Sequence, residues 1–295
     1  GSFAVALPLP VFLWILVGLQ AVGLPWWIAL KDEKVSPEVL GSVTTSLAKA
    51  WTLMQNKTFS RLMIFNVVMN MSQVVTVNAR NTVLNLWVNM TPLVNAMDGV
   101  LQQVIMMVTL AAAAKWLKHY NWRGLLIFGT FFFVAVMFLF WLVVFDVVRN
   151  PWLVIFIDGD QQFAQNVGYL VVMWAVVEMA PEGIEGTSLA LTTTVANAGQ
   201  SLGSYIVMAY NGIFALSRED IAGDSLHTRY QYMYNSLLVM ATQCVYMLLL
   251  TWMPSQKQDA RQKFEQRQMS KPWAILALAF VFLSLTWGIG STIAA

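Results

Sequence analysis

The chain has 295 residues, of which 58% are hydrophobic and 11% charged, and its formal net charge is +2. Soluble domains contain about 25% charged residues, so this composition indicates an integral membrane protein. The small net charge, with no basic cluster interleaved with aromatic residues, argues against nucleic acid as a partner. The single cysteine, Cys244, excludes an internal disulfide framework and a multi-cysteine metal site, and we expect no cofactor.

Apolar segments long enough to cross a bilayer, about 20 residues each, recur along the whole chain. We predict eight membrane-spanning helices, at residues 3–30, 62–90, 98–116, 124–147, 152–180, 187–215, 231–253 and 273–293. The first begins without a basic stretch ahead of Phe3, which favours a spanning helix over a signal peptide.

The distribution of basic residues predicts how these helices are oriented, because Lys and Arg concentrate in cytoplasmic connections. Alternate connections, starting with 31–61, contain Lys31, Lys34, Lys49, Lys57, Arg61, Lys115, Lys118, Arg123, Lys257, Arg261, Lys263, Arg267 and Lys271. The opposite set contains Arg149, Arg218 and Arg229. The first set is therefore expected inside, and the chain starts on the outer side.

Two polar connections leave alternatives open. Residues 40–61 fit an amphipathic helix on the inner surface, with Leu47, Trp51 and Leu53 entering the interface, or equally a solvated linker. The basic segment 257–271 is interpreted as a positive-inside anchor in preference to a lipid-headgroup site.

Two of the predicted spans carry a polar stripe on one helical face. The residues of these stripes are Asn66, Asn70, Gln73, Arg80 and Asn81 in 62–90, and Asp158, Gln161, Gln162, Gln165, Asn166 and Tyr169 in 152–180. Hydrocarbon penalises such groups, so both stripes are expected to face the bundle interior or a water-filled cavity. Asp160 points to the opposite side unless Gly159 bends the helix.

Arg80 is the only Lys or Arg deep inside a predicted span. It lies about 15 Å from the outer end of its helix, and Asp158 and Asp160 lie about 9–12 Å from the outer end of theirs. An unpaired charge at such a depth costs at least ~2.5–3.5 kcal/mol. We therefore predict that Arg80 and at least one of the two aspartates face one cavity and pair, with Gln73, Gln162 and Gln165 nearby. For any single Asn or Gln side chain in these stripes, an interhelical hydrogen bond is favoured over ligand binding.

The sixth predicted span is rich in small residues, including Gly199 and Gly203, which form a GxxxG pattern. Such a helix can approach a neighbouring backbone closely, and we expect one to lie against both glycines. Asn197, at the centre of this span, is interpreted either as an interhelical clamp or as a ligand contact, with the clamp slightly favoured.

Residues 180–203, APEGIEGTSLALTTTVANAGQSLG, resemble a signature of the folate–biopterin transporter family within the major facilitator superfamily. The motif residues are Pro181, Gly183, Glu185, Gly186 and Thr187, followed by the small-residue helix with Asn197. Gly159-Asp160 resembles the Gly-Asp pair that the family places early in the preceding helix. The similarity runs from about residue 62 to 253.

The resemblance implies an all-α membrane fold of the major-facilitator type, built from two six-helix halves. Its five segments are then a transmembrane helix at 1–30 (the sixth of a full transporter), a cytoplasmic central loop at 31–61, a complete carboxyl-terminal half at 62–253, a basic cytoplasmic segment at 254–272 and an extra transmembrane helix at 273–295. The extra helix departs from the family pattern. The chain is expected to lack the amino-terminal helices, so the missing half is an expected partner, besides the lipid bilayer.

The function that the resemblance implies is transport of a small organic solute, a folate or pterin, by alternating access with proton coupling. The candidate substrate-binding or coupling residues are Arg80, Asp158, Asp160, Asn70, Gln73, Gln162, Gln165 and Asn197. The acids Glu182 and Glu185 are interpreted either as an inner gate, paired with Lys115, Lys118 or Arg123, or as part of a solvated turn.

Other classes of function fit less well. A transporter for an amino acid or drug in the same superfamily is the main alternative, and a multi-span receptor is a weaker one. An intramembrane aspartyl protease is disfavoured, because Ile157 stands where glycine is required. Asp98 is predicted at a helix end, too shallow to serve as the second acid. Common hydrolase and phosphate-binding motifs are absent, so we do not expect an enzyme.

Overall fold

The computed structural model describes residues 43–266 and 268–294, together with positions 10, 11, 14, 17, 18, 21 and 25. The chain divides into two units, residues 1–44 and residues 45–295, and the second contains almost everything described. The predicted span 3–30 and most of the predicted central loop lie outside the described residues. So do the side chains of Asp160 and Gln161, although both residues belong to a described helix.

Helices dominate the described chain. They are α1 (Val43–Gln55), α2 (Lys57–Val74), α3 (Arg80–Leu86), α4 (Pro92–Lys115), α5 (Trp122–Val144), α6 (Pro151–Met179), α7 (Glu185–Ile213), α8 (Arg218–Ala222), α9 (Leu226–Gln243), α10 (Lys257–Glu265) and α11 (Lys271–Ala294). Two 3₁₀ helices, Leu117–His119 and Val245–Trp252, lie between them, and the second follows α9 after one residue. A single isolated bridge, between Asn56 and Met269, is the only β-type pairing among the described residues.

Within the described part of the chain, three helices are both long and apolar enough to cross a membrane. They are Pro92–Ala113, Trp122–Val144, and α9 with its 3₁₀ extension, Leu226–Trp252. Helices α6 and α7, with 29 residues each, are long enough to cross a bilayer but are not among these three. The prediction of an all-α membrane protein is confirmed, whereas the number of spans stays a prediction.

Much of the segment 40–61, for which the sequence allowed either an amphipathic helix or a solvated linker, is helical. Helix α1 covers Val43–Gln55, and α2 begins at Lys57, inside the predicted loop 31–61. Of the three side chains expected to enter the interface, Leu53 is buried in the protein, whereas Leu47 and Trp51 are exposed. The helical alternative is therefore the correct one for 43–55.

The predicted span 62–90 is not one helix, and that prediction is wrong. Helix α2 ends at Val74, and α3 starts at Arg80. The intervening residues begin with three β-branched side chains, which lose χ1 freedom in a helix. Gln243 of α9 donates from Nε2 to the carbonyl oxygens of Gln73 and Val75, at 3.3 and 3.2 Å. Carbonyls freed by the break are thus satisfied inside the protein, as a hydrocarbon surrounding requires.

Helix α4 starts six residues before the predicted boundary at 98. Thr91 caps it by accepting from the Val94 N–H, and Pro92 occupies the first turn. Asp98 therefore lies about 9 Å along the helix axis from its start, at 1.5 Å per residue. The expectation that Asp98 sits at a helix end is wrong.

The two glycines of α7 lie against the backbone of α2, as predicted. A Cβ atom built on Gly199 would collide with the carbonyl oxygen of Val67, and one built on Gly203 with that of Met71. Close packing of backbones is what small residues permit between membrane helices. Helix α11 packs against the same two helices, α2 and α7, through buried Ala274, Ala277 and Val281 on its own side.

We expect Gly199→Leu to destabilise the protein by at least about 1–3 kcal/mol, because the new side chain must displace the α2 backbone. The measurement is the thermal unfolding midpoint of the purified protein in detergent. Gly212→Leu is the matched control, because Gly212 lies in the same helix and a Cβ atom built on it would meet nothing within 4 Å. Equal midpoints for the two variants would contradict the close α2–α7 contact.

Candidate functional site

Arg80 and Asp158 form an ion pair between α3 and α6. The side chains are 16% and 12% exposed, so both charges are largely removed from solvent. The guanidinium also lies over the ring of Phe140 of α5, 4.1 Å from the ring centroid. The predicted pairing of Arg80 with an aspartate is confirmed for Asp158, whereas the side chain of Asp160 lies outside the described residues.

Two buried polar side chains of α9 lie beside this pair or one helical turn beyond it. The Tyr232 side chain of α9 is fully buried and packs on Phe140, with ring centroids 5.8 Å apart. Its hydroxyl lies close to Arg80 and Asp158. One turn further along α9, both amide atoms of Asn235 are buried without a hydrogen-bond partner among the described residues. Buried polar atoms are normally satisfied, so these atoms mark a place where a polar ligand or water can bind.

Asp98 of α4 is a second carboxylate beside the pair. It interacts electrostatically with Asp158 and Arg80, and its Oδ2 accepts from Gln102 Nε2 at 2.9 Å. Its Oδ1 is buried without a hydrogen bond from any described residue. We define Arg80, Asp158, Asp98 and Tyr232 as the charged cluster.

Two of the three glutamines expected near the pair line a small cavity. Gln73 and Gln165 border a space of about 20 Å³. Its other lining residues are Gly129, Thr130, Phe133, Ala164, Gln243 and Tyr246. This volume holds about one water molecule. Arg80 and Asp158 are not among the residues that line it. The break after α2 is the reason, because Gln73 and Arg80 no longer lie on one continuous helical face.

A protein-family model described as the BT1 family matches residues 4–271. The chain belongs to the BT1 family. BT1 proteins are folate–biopterin transporters, so the resemblance noted in the sequence is confirmed, and the major-facilitator placement is consistent with it. The match ends at the first residue of α11. Neither a curated protein nor a solved structure gives a significant match.

Membership of a transporter family fixes the coarse function of this BT1 protein. It is a membrane protein of a family that transports folate- and biopterin-type solutes, and BT1 is not an enzyme family. A small-molecule substrate and a lipid bilayer are the partners that this implies.

The other amides of the predicted site form hydrogen bonds within their own helices or lie exposed. Asn70 donates to the carbonyl and side-chain oxygens of Asn66, and Asn66 donates to the Thr192 carbonyl of α7 at 3.0 Å. Gln162 donates to the side chain of Asn166, one turn away. Asn70 and Gln162 therefore make hydrogen bonds within their own helices, and Asn66 makes the bond to another helix. Asn197 is exposed and makes no side-chain hydrogen bond with a described residue, so the favoured clamp interpretation is wrong within this chain.

The BT1 signature forms a tight turn before α7. Gly183 has φ = 82°, a left-handed conformation that glycine adopts without strain, and its N–H donates to Glu185 Oε2 at 2.9 Å. The Pro181 carbonyl accepts from Ile184 N–H at 3.2 Å. Gly186 and Thr187 lie in the first turn of α7, and a Cβ on Gly186 would meet nothing within 4 Å. The signature thus sets the entry into α7.

The predicted inner-gate pairs are not formed in this structure. Among the described residues, neither Glu182 nor Glu185 makes an ion pair, and Arg123 instead donates to the carbonyl oxygens of Met253 and Thr251. A different acid, Glu178 at the end of α6, binds the basic segment.

Glu178 pairs with Lys257 at 2.6 Å and with Arg261 at 2.7 Å, both on α10. Sequence reasoning missed this contact because Glu178 falls within the predicted span 152–180 and was not considered as a partner of the basic segment. The basic segment is thus anchored to the protein itself, not only positioned by the positive-inside rule.

Proposed function

We propose that this chain is the carboxyl-terminal half of a transporter that moves a folate or pterin by alternating access, coupled to protons. The observation that carries the proposal is the Arg80–Asp158 pair, bordered by unsatisfied buried polar atoms at a broken helix. Discontinuous helices near the middle of the membrane are typical of transporter binding sites. Intramembrane charges are costly and generally functional.

The proposed architecture has 62–253 as the six-helix half, with 3–30 as the sixth helix of the full transporter and 31–61 as the central cytoplasmic loop. The segment 254–272 is then the basic cytoplasmic tail, and 273–295 an additional helix. An exposed polar face on α7, formed by Thr193, Asn197, Gln200 and Ser204, supports this arrangement. Lipid disfavours such a face, so another protein surface or a water-filled pathway is expected beside it. The amino-terminal half would lie there.

The residues of the pair suit the chemistry of a pterin with an attached carboxylate. A guanidinium binds a carboxylate through two parallel hydrogen bonds, so Arg80 can hold the substrate's carboxylate. Asp158 accepts hydrogen bonds from the amino and ring N–H groups of a pterin once the substrate competes for Arg80. Asp160 is the alternative acceptor. Asn70, Gln73, Gln162, Gln165 and Asn197 stay candidate contacts for other conformations of the cycle.

Uptake by the full-length protein in proteoliposomes tests this function. Labelled folate and biopterin should enter faster when the outside is acidic, and a protonophore should remove the advantage. A panel of labelled amino acids is the comparison. Uptake of an amino acid instead of pterins would favour a transporter for another substrate class, and binding of labelled biopterin without uptake would favour a receptor.

A further inference from the structure

We propose that Asp98 is the residue that takes up and releases the coupling proton, whereas Asp158 stays ionised as the partner of Arg80. This rests on the proposed function, because it names the proton-binding residue of that transport cycle. Three features of the charged cluster support this proposal. They are its charge balance, the hydrogen bonds of Asp98 and the effect that an anionic substrate bound to Arg80 has on the Asp98 proton.

Within the described part of the chain, Asp98 has no cation of its own. Among the described side chains, the charged groups that act on it from neighbouring elements are Asp158 of α6 and Arg80 of α3. Arg80 is in direct contact with Asp158 and forms no ion pair with Asp98. With both acids ionised the three side chains carry one net negative charge, and with Asp98 neutral they carry none. Asp98 is half-buried, and an uncompensated charge that is partly removed from water is costly, so protonation of Asp98 stabilises the cluster.

The hydrogen bonds of Asp98 also favour the neutral acid. Gln102 supplies one donor to Oδ2, and Oδ1 is buried without a donor from the described residues. An ionised carboxylate accepts hydrogen bonds at both oxygens, whereas a protonated acid needs fewer donors and has one O–H of its own. Asp158, by contrast, has the guanidinium of Arg80, which favours its ionised form.

The same geometry couples the proton to the substrate. A substrate carboxylate that binds Arg80 adds one negative charge, so Asp98 holds its proton more strongly while the substrate is bound. Linkage makes this reciprocal, and a protonated Asp98 strengthens binding of the anion. When the site opens to the less acidic side, the Asp98 O–H gives its proton to water, the acid becomes a carboxylate, and the substrate anion is repelled. Proton and anion thus move in the same direction.

Infrared difference spectroscopy of the purified full-length protein tests the assignment without any transport. Exposed acids are ionised at neutral pH, since their reference pKa values are about 4. The C=O stretch of a protonated carboxyl group should therefore be seen in the wild type at neutral pH, be lost in Asp98→Asn and remain in Asp160→Asn. Asp158→Asn frees Arg80 to balance an ionised Asp98, so the band should weaken in that variant too. A band that persists in Asp98→Asn would overturn the proposal.

Transport in proteoliposomes gives the second readout. A gradient of about one pH unit accumulates substrate about tenfold for each coupled proton, since a tenfold ratio corresponds to about 1.4 kcal/mol. Asp98→Asn should abolish this accumulation and the accompanying proton flux, and Asp98→Glu should restore both with an altered pH profile. Glu265→Gln, an exposed acid on α10, is the control.

The two experiments separate the two proposals. Gradient-driven accumulation that survives in Asp98→Asn overturns the role of Asp98 and leaves the proposed function intact. A wild type that accumulates neither folate nor biopterin contradicts the proposed function, and the infrared band then decides the protonation of Asp98 independently.

Discussion

Replacing Arg80 with glutamine should destabilise the protein by about 3–5 kcal/mol, the usual cost of removing one partner from a buried ion pair. The variant leaves Asp158 charged, 12% exposed and without its cation. Asp158→Asn should be similarly harmful, because it leaves the guanidinium without a counter-charge. The double variant Arg80→Gln/Asp158→Asn should be more stable than either single variant, since it strands no charge.

Thermal unfolding midpoints in detergent measure the relative stability of the single and double variants. Uptake of labelled biopterin by the full-length protein measures their transport activity. Arg218→Gln is the matched control, because Arg218 is exposed and forms no ion pair with a described residue. All three variants should lose uptake even where the double variant regains stability. A double variant less stable than both single ones would show that the two charges act independently. Wild-type uptake in both single variants would remove the pair from the mechanism.

The Arg80–Asp158 contact was predictable because the membrane restricts where charges can go. One deep arginine and an acid at a matching depth have few alternatives to pairing in hydrocarbon. The same reasoning found the close approach of Gly199 and Gly203, because a run of small residues is a local sequence feature. Both predictions needed only depth and residue size, not the exact path of the backbone.

The position of the glutamines was not predictable by the same means. The polar stripe on 62–90 assumed a continuous helix of constant pitch, and the break between α2 and α3 invalidates it. The sequence does hold a signal, the β-branched run Val74-Val75-Thr76-Val77. That signal is weak, because propensity alone is readily overridden by packing. The stabilising contact comes from Gln243, distant in sequence, which no local pattern indicates.

Asp98 was misplaced for a simpler reason. The apolar pattern put the start of α4 at 98, whereas Thr91 and Pro92 provide a normal N-cap and first-turn proline. Weighing those two residues would have moved Asp98 inside the helix and beside the polar stripe of α6. Its proximity to Arg80 still depends on the turn between α2 and α3, which requires the structure.

Replacing Asp224 with asparagine should loosen the side of the protein that is predicted to be outer. Asp224 accepts two hydrogen bonds from Arg149, at 2.7 and 2.9 Å, and two from Arg229, at 3.0 Å each. These contacts join the α5–α6 connection to the start of α9. Arg149 also lies over Trp87, which follows α3, with 4.8 Å to the ring centroid. The clamp therefore reaches the short helix that begins with Arg80.

The expected loss for Asp224→Asn at neutral pH is about 1.5–3 kcal/mol, the range for hydrogen bonds to charged groups. Asparagine is the matched replacement, because Asp224 has φ = 43° and both residues tolerate this left-handed region. Glu219→Gln, an exposed acid on α8, is the control and should change the unfolding midpoint little.

Low pH should remove the difference in stability between the wild type and Asp224→Asn. Hydrogen bonds from Arg149, and then those from Arg229, hold the pKa of Asp224 below its usual range. A lowered folded-state pKa contributes stability that is fully present above the unfolded-state value, about 3.9, and is lost as the pH falls through the folded-state value. Unfolding midpoints of the two proteins should thus differ by a constant amount near neutrality and converge only below about pH 4. Convergence that is already complete at pH 6 would assign the acid sensitivity of this face to another group, because Asp224 is fully ionised there in both folded and unfolded chains.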